Sequence, residues 1–358
     1  MSFNNVILWV VAIGSLIGGL DKLLDNRLGL GAKFEKGYQT MGPLALGMVG
    51  IVCLTPVLQS VISVAVAPLC GALGIDPAVF GALLANDMGG YQLSMELAAD
   101  TQVGQLFGVL VASMLGAALV FNIPVGFGLI EKEDQPYFIQ GLLVGLIAIP
   151  FGSALGGIAA GFPVLLVLLN LAPIAILSAL LALGLKWMPK QMTKGCAVFG
   201  KLIAALSCIS LVCAAFESIT GLALIPGMSP IADAMKIVAE IAVVLGGTFP
   251  VLALLTKVMG KPLTWLGKRL GLDFISTSAM IFALANSVSV FVMMKDMKKR
   301  GIVVNTAWIV TASAVLGDHL GFTASVEPGM ILALFVTKIS AGILAALLAL
   351  CLTRNDPS

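Results

Sequence analysis

Polar side chains interrupt two apolar stretches of this 358-residue chain at matching places. Asn86 and Asp87 follow the dipeptide Leu-Ala, and Asn286 and Ser287 follow the same dipeptide two hundred positions later. A carboxylate in apolar surroundings must be paired or hydrated, which makes such an acid a candidate for binding a cation. We therefore expect Asp87 to carry the charge of a binding site, with the other three offering hydrogen bonds. The alternatives are helix capping for Asp87 and structural interhelical hydrogen bonds for Asn286 and Ser287.

The residues that follow Asp87 extend this candidate site. Gly89 and Gly90 permit a tight backbone turn, and close ligand contact through their backbone is the alternative role. The ring of Tyr91 could lie against a bound cation, although aromatic packing is the more common use of such a residue. Glu96 would either line the outer vestibule or lie solvated at the membrane interface.

Asp318 and His319 form another polar pair in an apolar run. His319 is the sole histidine, so we expect no multi-histidine metal site. Its titration range would suit a proton relay or a pH-sensitive gate. Counted from the start of the run near residue 302, the pair lies about 24 Å along a straight helix. An ion pair that stabilises the outer mouth is therefore an alternative to substrate binding.

Two further polar residues are secondary candidates for the site. Asn122 precedes Pro124 and marks either a helix kink or a polar contact, of which we favour the kink. Glu240 lies about nine residues into an apolar run, and we expect it to pair with Lys236 one helical turn away in a structural role.

The elements that hold these residues are membrane spans. The chain is 59% hydrophobic and 11% charged, whereas soluble domains carry about 25% charged residues. Apolar runs of about 20 residues, enough to cross a hydrocarbon core of ~30 Å, follow one another from end to end. Scattered basic residues give no nucleic-acid-binding pattern. The six cysteines form no CxxC pair, so we expect small core residues and no disulfide framework.

The two segments that contain Leu-Ala-Asn belong to a longer similarity between the two halves of the chain. Equivalent residues recur in the same order on both sides of the Leu-Ala-Asn tripeptides: Pro56 with Pro250, Asp76 with Asp273, Tyr91 with Phe291, Ser113 with Ser313, and Phe121 with Phe322. Their common order indicates a duplicated chain. Shared membrane composition is the alternative explanation.

Lysine and arginine in short loops mark the cytoplasmic side, and two segments do not fit that rule as plain spans. Residues 77–98 have no basic neighbour, and residues 273–294 have basic clusters at both ends. Both fit if each segment is a re-entrant hairpin, because an arm of about 10 residues reaches ~15 Å, half of the core. Irregular backbone at such tips must be buried in protein or line a wet cavity.

The remaining apolar runs then predict nine spans, near residues 5–21, 41–60, 103–130, 137–160, 163–186, 196–217, 231–256, 302–323 and 329–352. The predicted fold is an all-α polytopic membrane protein with an inverted-topology repeat. Residues 1–160 form the first repeat, 163–186 a linking span, and 196–358 the second repeat. The N-terminus lies outside and the C-terminus in the cytoplasm. The alternative is eleven plain spans with a parallel repeat.

Three strings resemble motifs of the bacterial ethanolamine-utilisation permease family (EutH type): Asn86-Asp87-Met88-Gly89-Gly90, Leu284-Ala285-Asn286 and Leu316-Gly317-Asp318-His319-Leu320-Gly321-Phe322. The similarity runs over nearly the whole chain. One departure is Ser287, where the family pattern often has a second amide. The resemblance implies an inner-membrane protein that brings ethanolamine into the cell, as a facilitator or as an ion-coupled carrier.

Ethanolamine is a small ammonium cation with one hydroxyl group. A site for it would offer a carboxylate or carbonyl oxygens to the ammonium and a hydrogen-bonding group to the hydroxyl. The expected partners are ethanolamine, the lipid bilayer and, for a coupled carrier, a proton or another ion. The oligomeric state is open, and we expect no cofactor. A channel or carrier for another small amine or cation is the alternative function. An intramembrane enzyme is remote, since we find no nucleotide motif, no metal cluster and no Ser/His/Asp set.

Overall fold

The computed structural model describes residues 2–65, 70–71, 74–84 and 90–354, and the regular structure in these ranges is helical. In the first half, the described α-helices are α1 (Phe3–Leu23), α2 (Gly31–Gln39), α3 (Met41–Leu44), α4 (Gly50–Ala65), α5 (Val79–Leu84), α6 (Tyr91–Leu97), α7 (Thr101–Gln105) and α8 (Ile123–Leu129). π-Helical segments join α3 to α4 (Ala45–Val49) and α7 to α8 (Leu106–Gly116 and Ala118–Asn122).

The second half continues the same architecture. Its α-helices are α9 (Gln135–Ala159), α10 (Val164–Trp187), α11 (Pro189–Thr220), α12 (Ile231–Leu270), α13 (Phe274–Ala283), α14 (Val288–Met293), α15 (Lys299–Ala312), α16 (Asp318–Val326) and α17 (Ile331–Leu352). Short 3₁₀ turns follow α14 (Met294–Asp296) and precede α17 (Pro328–Met330).

Eight helical runs among the described residues are long and apolar enough to cross a membrane: Phe3–Leu23, Gly31–Val64, Thr101–Leu129, Gln135–Ala159, Val164–Trp187, Pro189–Thr220, Ile231–Met259 and Pro328–Leu352. They confirm a polytopic all-α membrane protein. Each corresponds to one of the nine predicted spans. The run that begins at Ile231 belongs to α12, which is 40 residues long and continues past the predicted end at 256 to Leu270.

The ninth predicted span, near 302–323, is not one helix. It breaks between Ala312 and Asp318 into α15 and α16. Ala314 has a left-handed backbone with a φ of 59°, a conformation that costs a residue with a Cβ roughly 1–2 kcal/mol. Backbone N–H groups within the break donate to carbonyl oxygens at the end of α13, which offsets that cost. The break is therefore held by a tertiary contact rather than by a local sequence signal.

The predicted span near 103–130 is continuous but irregular. Its central part is π-helical, and its most apolar window is 89% buried inside the protein. π-Helical turns are rare and occur frequently at functional sites. The second π segment ends at Asn122, two residues before Pro124, so π-helical backbone lies where a helix kink was predicted. This span forms the centre of the bundle.

Two pairs of short helices lie where the hairpins were predicted, and we call them the first helical pair (α5 and α6) and the second helical pair (α13 and α14). In the first, the Ser94 hydroxyl donates to the Ala78 carbonyl oxygen at 2.9 Å, so the beginning of α5 meets the middle of α6. The described helices contain six, seven, ten and six residues. Each is too short to cross the membrane alone, since a span needs about 20 residues.

An aspartate joins the open end of each helical pair. Asp76 accepts hydrogen bonds from the backbone N–H groups of Ala78 at 2.8 Å and Ala99 at 3.2 Å. Asp273 accepts from the backbone of Ser276 at 2.7 Å and of Lys298 at 3.1 Å. These two aspartates were matched in the sequence comparison of the halves, and they make the same connection in both.

Small residues let the central helices approach closely. A Cβ on Gly141 of α9 would lie 2.5 Å from the Val303 carbonyl oxygen, and one on Gly152 would lie 2.5 Å from the Thr337 carbonyl oxygen. Such contacts between small residues are typical of helix packing in membranes. They seat α15 and α17 against α9 and place the middle of α17 near the centre of the bundle.

Candidate functional site

The turn of the second helical pair meets the central span through side chains. The Ser287 hydroxyl donates to Asn122 Oδ1 at 2.8 Å, and both residues are buried. The Asn122 Nδ2 atom is buried and has no protein partner among the described residues. A buried amide donor of this kind costs about 1–3 kcal/mol unless something accepts its hydrogen bond. Asn122 therefore offers a donor at the point where the two elements meet.

The same turn is bonded to the break between α15 and α16. The Ala314 N–H donates to the Ala283 carbonyl oxygen at 2.9 Å, and the Leu316 N–H donates to that of Leu284 at 2.8 Å. Asp318 is the first residue of α16. Acidic side chains are favoured in the first turn of a helix, where the backbone N–H groups have no partner within the helix. The break thus presents a carboxylate beside the turn of the second helical pair.

A cavity of about 340 Å³ lies between these elements. Its polar lining includes Asn286, Asp318 and His319, and aromatic side chains complete the wall: Phe121, Phe249 and Phe322. A smaller cavity of about 130 Å³ shares Phe121, Asn286, Asp318 and His319 with it and adds Asn122, Ser287 and Ser313. Since one water occupies about 30 Å³ in the liquid, the larger cavity has room for a small solute and several waters.

A third cavity, of about 210 Å³, extends from the same place toward basic residues of α2. It shares Lys36, Phe249, Ala285 and Asn286 with the first and adds Lys33 and Thr256. Asn286 lines all three cavities. Its Oδ1 accepts hydrogen bonds from the backbone and hydroxyl of Ser289 at 3.1 and 3.2 Å, which leaves Nδ2 as the donor of this side chain.

The structure therefore brings together five of the residues singled out in the sequence: Asn122, Asn286, Ser287, Asp318 and His319. Asp318 lies beside the tip of the second helical pair because the break in its span interrupts the straight helix assumed from sequence. His319 is buried and hydrogen-bonded to the backbone of Ser313.

Of the candidate residues in the turn of the first helical pair, the structure describes only Gly90. Asn86, Asp87 and Gly89 fall outside the residues that the structure describes. Gly90 is buried and precedes α6 as its N-cap.

Tyr91 has the packing role that was the alternative to a cation contact. Its hydroxyl donates to Glu327 Oε1 at 2.5 Å, and its ring lies edge-on to that of Phe322, with 5.8 Å between the ring centroids. Because Phe322 lines the main cavity, Tyr91 supports the wall from behind.

Two acids predicted as secondary candidates are not in this site. Glu96 is exposed and lines none of the cavities described above. Glu240 is half-buried and also lies outside them. The expected ion pair between Glu240 and Lys236 is wrong, since the structure pairs neither residue with the other. A lysine that precedes a glutamate by four residues is the weaker orientation on a helix, and Lys236 is exposed.

One fully buried lysine was not among the residues predicted from sequence. Lys338 lies seven residues into α17, has 0% relative exposure, and donates from Nζ to the Ser113 carbonyl oxygen at 2.7 Å. Both Lys338 and Asp318 lie close enough to His319 to affect it electrostatically. The signal was present, because a basic residue in the middle of an apolar span is rare and marks a functional position by default.

Within the described ranges, no three histidine, cysteine or acidic side chains are grouped so as to hold a metal ion. The lining instead suits a small organic solute, with one carboxylate, amide donors, aromatic faces and, on the side of α2, the side chain of Lys36. A bundle of apolar spans around such a cavity defines a multi-pass membrane protein of the transporter class.

The comparisons with known proteins specify that class further. The family model described as "Ethanolamine utilisation protein, EutH" matches residues 3–352, and the chain belongs to this family. It is 45% identical to the "Probable ethanolamine permease EutH" of Listeria monocytogenes serotype 1/2a (strain 10403S), over 96% of this chain and 93% of the relative.

Two further relatives align with this chain over nearly the whole length of both proteins. The chain is 37% identical to the "Probable ethanolamine permease EutH" of Escherichia coli (strain K12), over 99% of this chain and 97% of the relative. It is 41% identical to the "Uncharacterized protein YxeR" of Bacillus subtilis (strain 168), over 99% of this chain and 96% of the relative. No solved structure matches the chain. The family is one of permeases, which confirms the assignment to transport rather than to enzymes.

Proposed function

We propose that this chain carries ethanolamine across the bacterial inner membrane into the cell, as a facilitator or as an ion-coupled carrier. The names of its relatives support the substrate. The observation that carries the proposal is the cavity in which the Asp318 carboxylate lies beside amide donors and aromatic faces. This set matches the two ends of a small ammonium alcohol.

Each end of the substrate has a group to bind it. The ammonium pairs with the Asp318 carboxylate, and charge-assisted hydrogen bonds of this kind are about twice as strong as neutral ones. The substrate hydroxyl oxygen accepts from Asn122 Nδ2 and Asn286 Nδ2, and the unpartnered Asn122 amide then gains its missing acceptor. The rings of Phe121 and Phe322 flank the cation, where an aromatic face contributes about 0.5–2 kcal/mol.

In this proposal the tip of the first helical pair, whose residues are identified from sequence, contributes from the opposite side. Asp87 supplies a second carboxylate at the equivalent of Ser287, with Asn86 beside it and Gly89 and Gly90 forming the turn. His319 lies next to Asp318 and would carry a proton if transport is coupled to one.

We further propose that the two helical pairs are re-entrant hairpins within an inverted repeat, with repeats at 1–160 and 196–358 joined by the span at 163–186. The equivalent ties made by Asp76 and Asp273 support this arrangement. The hairpins at 77–98 and 273–294 then enter from opposite faces and meet near the midplane, where such transporters bind their substrates. The N-terminus is outside and the C-terminus is cytoplasmic, as the basic loops indicate.

Uptake of labelled ethanolamine into proteoliposomes tests the function directly, with and without an inward proton gradient. We expect saturable uptake that close amino-alcohol analogues inhibit. Stimulation by the gradient would identify proton coupling, and equal rates would identify a facilitator. Flux that rises linearly with concentration would favour a channel, and uptake no greater than in empty liposomes would contradict the proposal. The medium is kept at or below neutral pH, because neutral ethanolamine leaks through lipid at high pH.

The contribution of Asp87 needs its own variant. Asp87→Asn should abolish saturable uptake while the protein remains in the membrane. Glu96→Gln is the matched control, since it removes an exposed acid of α6 that lies outside the cavities. Undiminished uptake by Asp87→Asn at acidic external pH would remove this residue from the site.

A further inference from the structure

Lys338 is an unusual residue for the middle of a membrane span. It lies about 10 Å along α17 from Ile331, and its side chain is fully buried. A charged group inside the membrane must be paired or bonded to backbone oxygen, and such residues mark functional positions. The transport site proposed above assigns no role to this lysine.

The ammonium group of Lys338 is bonded to irregular backbone. Its partner, the Ser113 carbonyl oxygen, belongs to the π-helical segment Leu106–Gly116 at the centre of the bundle. The Ser113 hydroxyl turns back to the Leu110 carbonyl oxygen at 2.9 Å, so Ser113 meets the lysine with its backbone and not with its side chain. A backbone carbonyl is the kind of oxygen ligand that also binds a monovalent metal ion.

The second half makes a similar contact at the matching position. Ser313 aligns with Ser113 in the sequence comparison of the halves and lies at the break between α15 and α16. Its backbone is hydrogen-bonded to His319. In both halves, therefore, a buried basic side chain contacts the backbone at the irregular part of the equivalent span.

The surrounding charges explain why this position suits a cation. Lys338 and Asp318 both lie close enough to His319 to act on it electrostatically, and Asp318 and His319 line the cavity. Helix α9, which packs against α17 through Gly152 and Gly156, has no charged residue. Helix α15 is charged only at its first turn. Lys338 and Asp318 therefore have His319 as a common electrostatic neighbour.

In transporters built from inverted repeats, carbonyl oxygens of unwound helices coordinate the coupling ion. We propose that Lys338 is a resident cation, whose ammonium group permanently occupies the equivalent position at a carbonyl oxygen of the π-helical segment, so that transport by this chain needs no sodium ion. The inference rests on the proposed function. It adds to that function that the carrier does not require a monovalent metal ion. It also assigns a role to a residue that does not contact the substrate.

The test is to replace the resident cation by a mobile one. Wild-type uptake should be equal in sodium and in choline media. Lys338→Ala, which opens space beside the Ser113 carbonyl oxygen, should lose most uptake in choline medium and regain it several-fold with sodium, lithium or methylammonium. Lys338→Met keeps the bulk without the charge, so it should stay low in every medium. Lys201→Ala on α11 is the control, since that lysine is exposed.

A binding measurement separates this inference from the identity of the substrate. Purified Lys338→Ala should show a rise in melting temperature with added small cations that wild type lacks, because a ligand that binds the folded state stabilises it. This shift does not require that ethanolamine be transported. If the variant folds only when such cations are present during expression, the recovery of folded protein becomes the readout and supports the same conclusion.

Three results would overturn the proposal. The first is a sodium requirement of the wild-type protein. The second is a folded Lys338→Ala protein whose melting temperature and uptake do not respond to any small cation. The third is a Lys338→Ala protein that is not recovered in folded form under any cation condition, since a mobile cation then does not replace the lysine.

Discussion

Ser287 and Asn122 are joined by a hydrogen bond of 2.8 Å although they lie 165 positions apart in the chain. The bond connects the turn of the second helical pair to Asn122, the last residue of the π-helical segment in the central span. Because both residues are buried and line the same small cavity, the bond fixes the shape of the candidate site. It links residues from the two halves of the molecule, so the site exists only when both halves are folded together.

Removal of this bond should weaken the fold and the site together. Ser287→Ala leaves Asn122 Oδ1 buried without its donor, which should cost about 1–3 kcal/mol of stability. We expect a lower melting temperature in detergent and a lower affinity for the substrate. Ser60→Ala is the control, because that hydroxyl is exposed and bonded only to the Val57 carbonyl oxygen of its own helix. Equal melting temperatures for the two variants would show that the bond does not contribute.

Asp318 should be the residue most sensitive to loss of charge among those described. Asp318→Asn keeps the shape of the side chain but removes the partner of the substrate ammonium. Hydrogen bonds to charged groups contribute about 1.5–3 kcal/mol, so the apparent affinity should fall about 10- to 100-fold. Concentration-dependent uptake in proteoliposomes measures this change. Unchanged affinity, with a protein that elutes as wild type in size-exclusion chromatography, would place the ammonium elsewhere.

The orientation of the two helical pairs is testable by labelling. Single cysteines at Ala99 and Lys298, each exposed at the open end of its pair, should react with a membrane-impermeant reagent from opposite faces of the membrane. The background must lack the native cysteines, because Cys208 and Cys351 are exposed. Labelling of both positions from the same face would contradict the inverted repeat.

The tie made by Asp273 should depend on pH. Burial alone raises the pKa of this carboxyl, but hydrogen bonds from Ser276 and from the Lys298 backbone outweigh it and hold the pKa below its ordinary value of 3.8. A lowered folded-state pKa means that the carboxylate stabilises the protein above that value and that this contribution is lost as the pH falls through the folded-state pKa.

Asp273→Asn should therefore lower the melting temperature at pH 7 by several degrees. The difference from wild type should shrink as the pH is lowered below about 4, where the wild-type carboxyl also begins to lose its charge. Thermal denaturation at a series of pH values measures both effects. A difference between the two proteins that stays constant down to pH 3 would contradict this account.

The spans could be predicted from sequence because their signal is local. A run of apolar residues of the right length is a sufficient condition for a membrane helix, and eight of the nine runs became continuous spans. The break in the remaining run could not be predicted. Ala314 adopts a left-handed backbone without being a glycine, and the hydrogen bonds that permit it come from α13, far away in the sequence.

The sequence indicated which types of residue could form the candidate site, but not how these residues are arranged in space. Polar side chains in apolar runs singled out Asn286, Ser287 and Asp318, and the structure places all three in the lining of the cavities, while their role in binding stays a prediction. Lys338 was missed because lysines were used only to orient the loops. The role of Tyr91 was also decided by a distant partner, Glu327, which no local pattern connects to it.

The aspartate ties have a mechanical consequence. Each helical pair is joined at its open end by a carboxylate that is hydrogen-bonded to backbone N–H groups, and the turn of the second pair also contacts the central span, where Ser287 donates to Asn122. We expect the second helical pair, which is held at both ends, to move as one rigid unit. When one half tilts against the other, the motion reaches the turn undiminished instead of being absorbed by a loose loop. We therefore expect a tilt of one half against the other to change the shape of the cavity at the contact between Ser287 and Asn122.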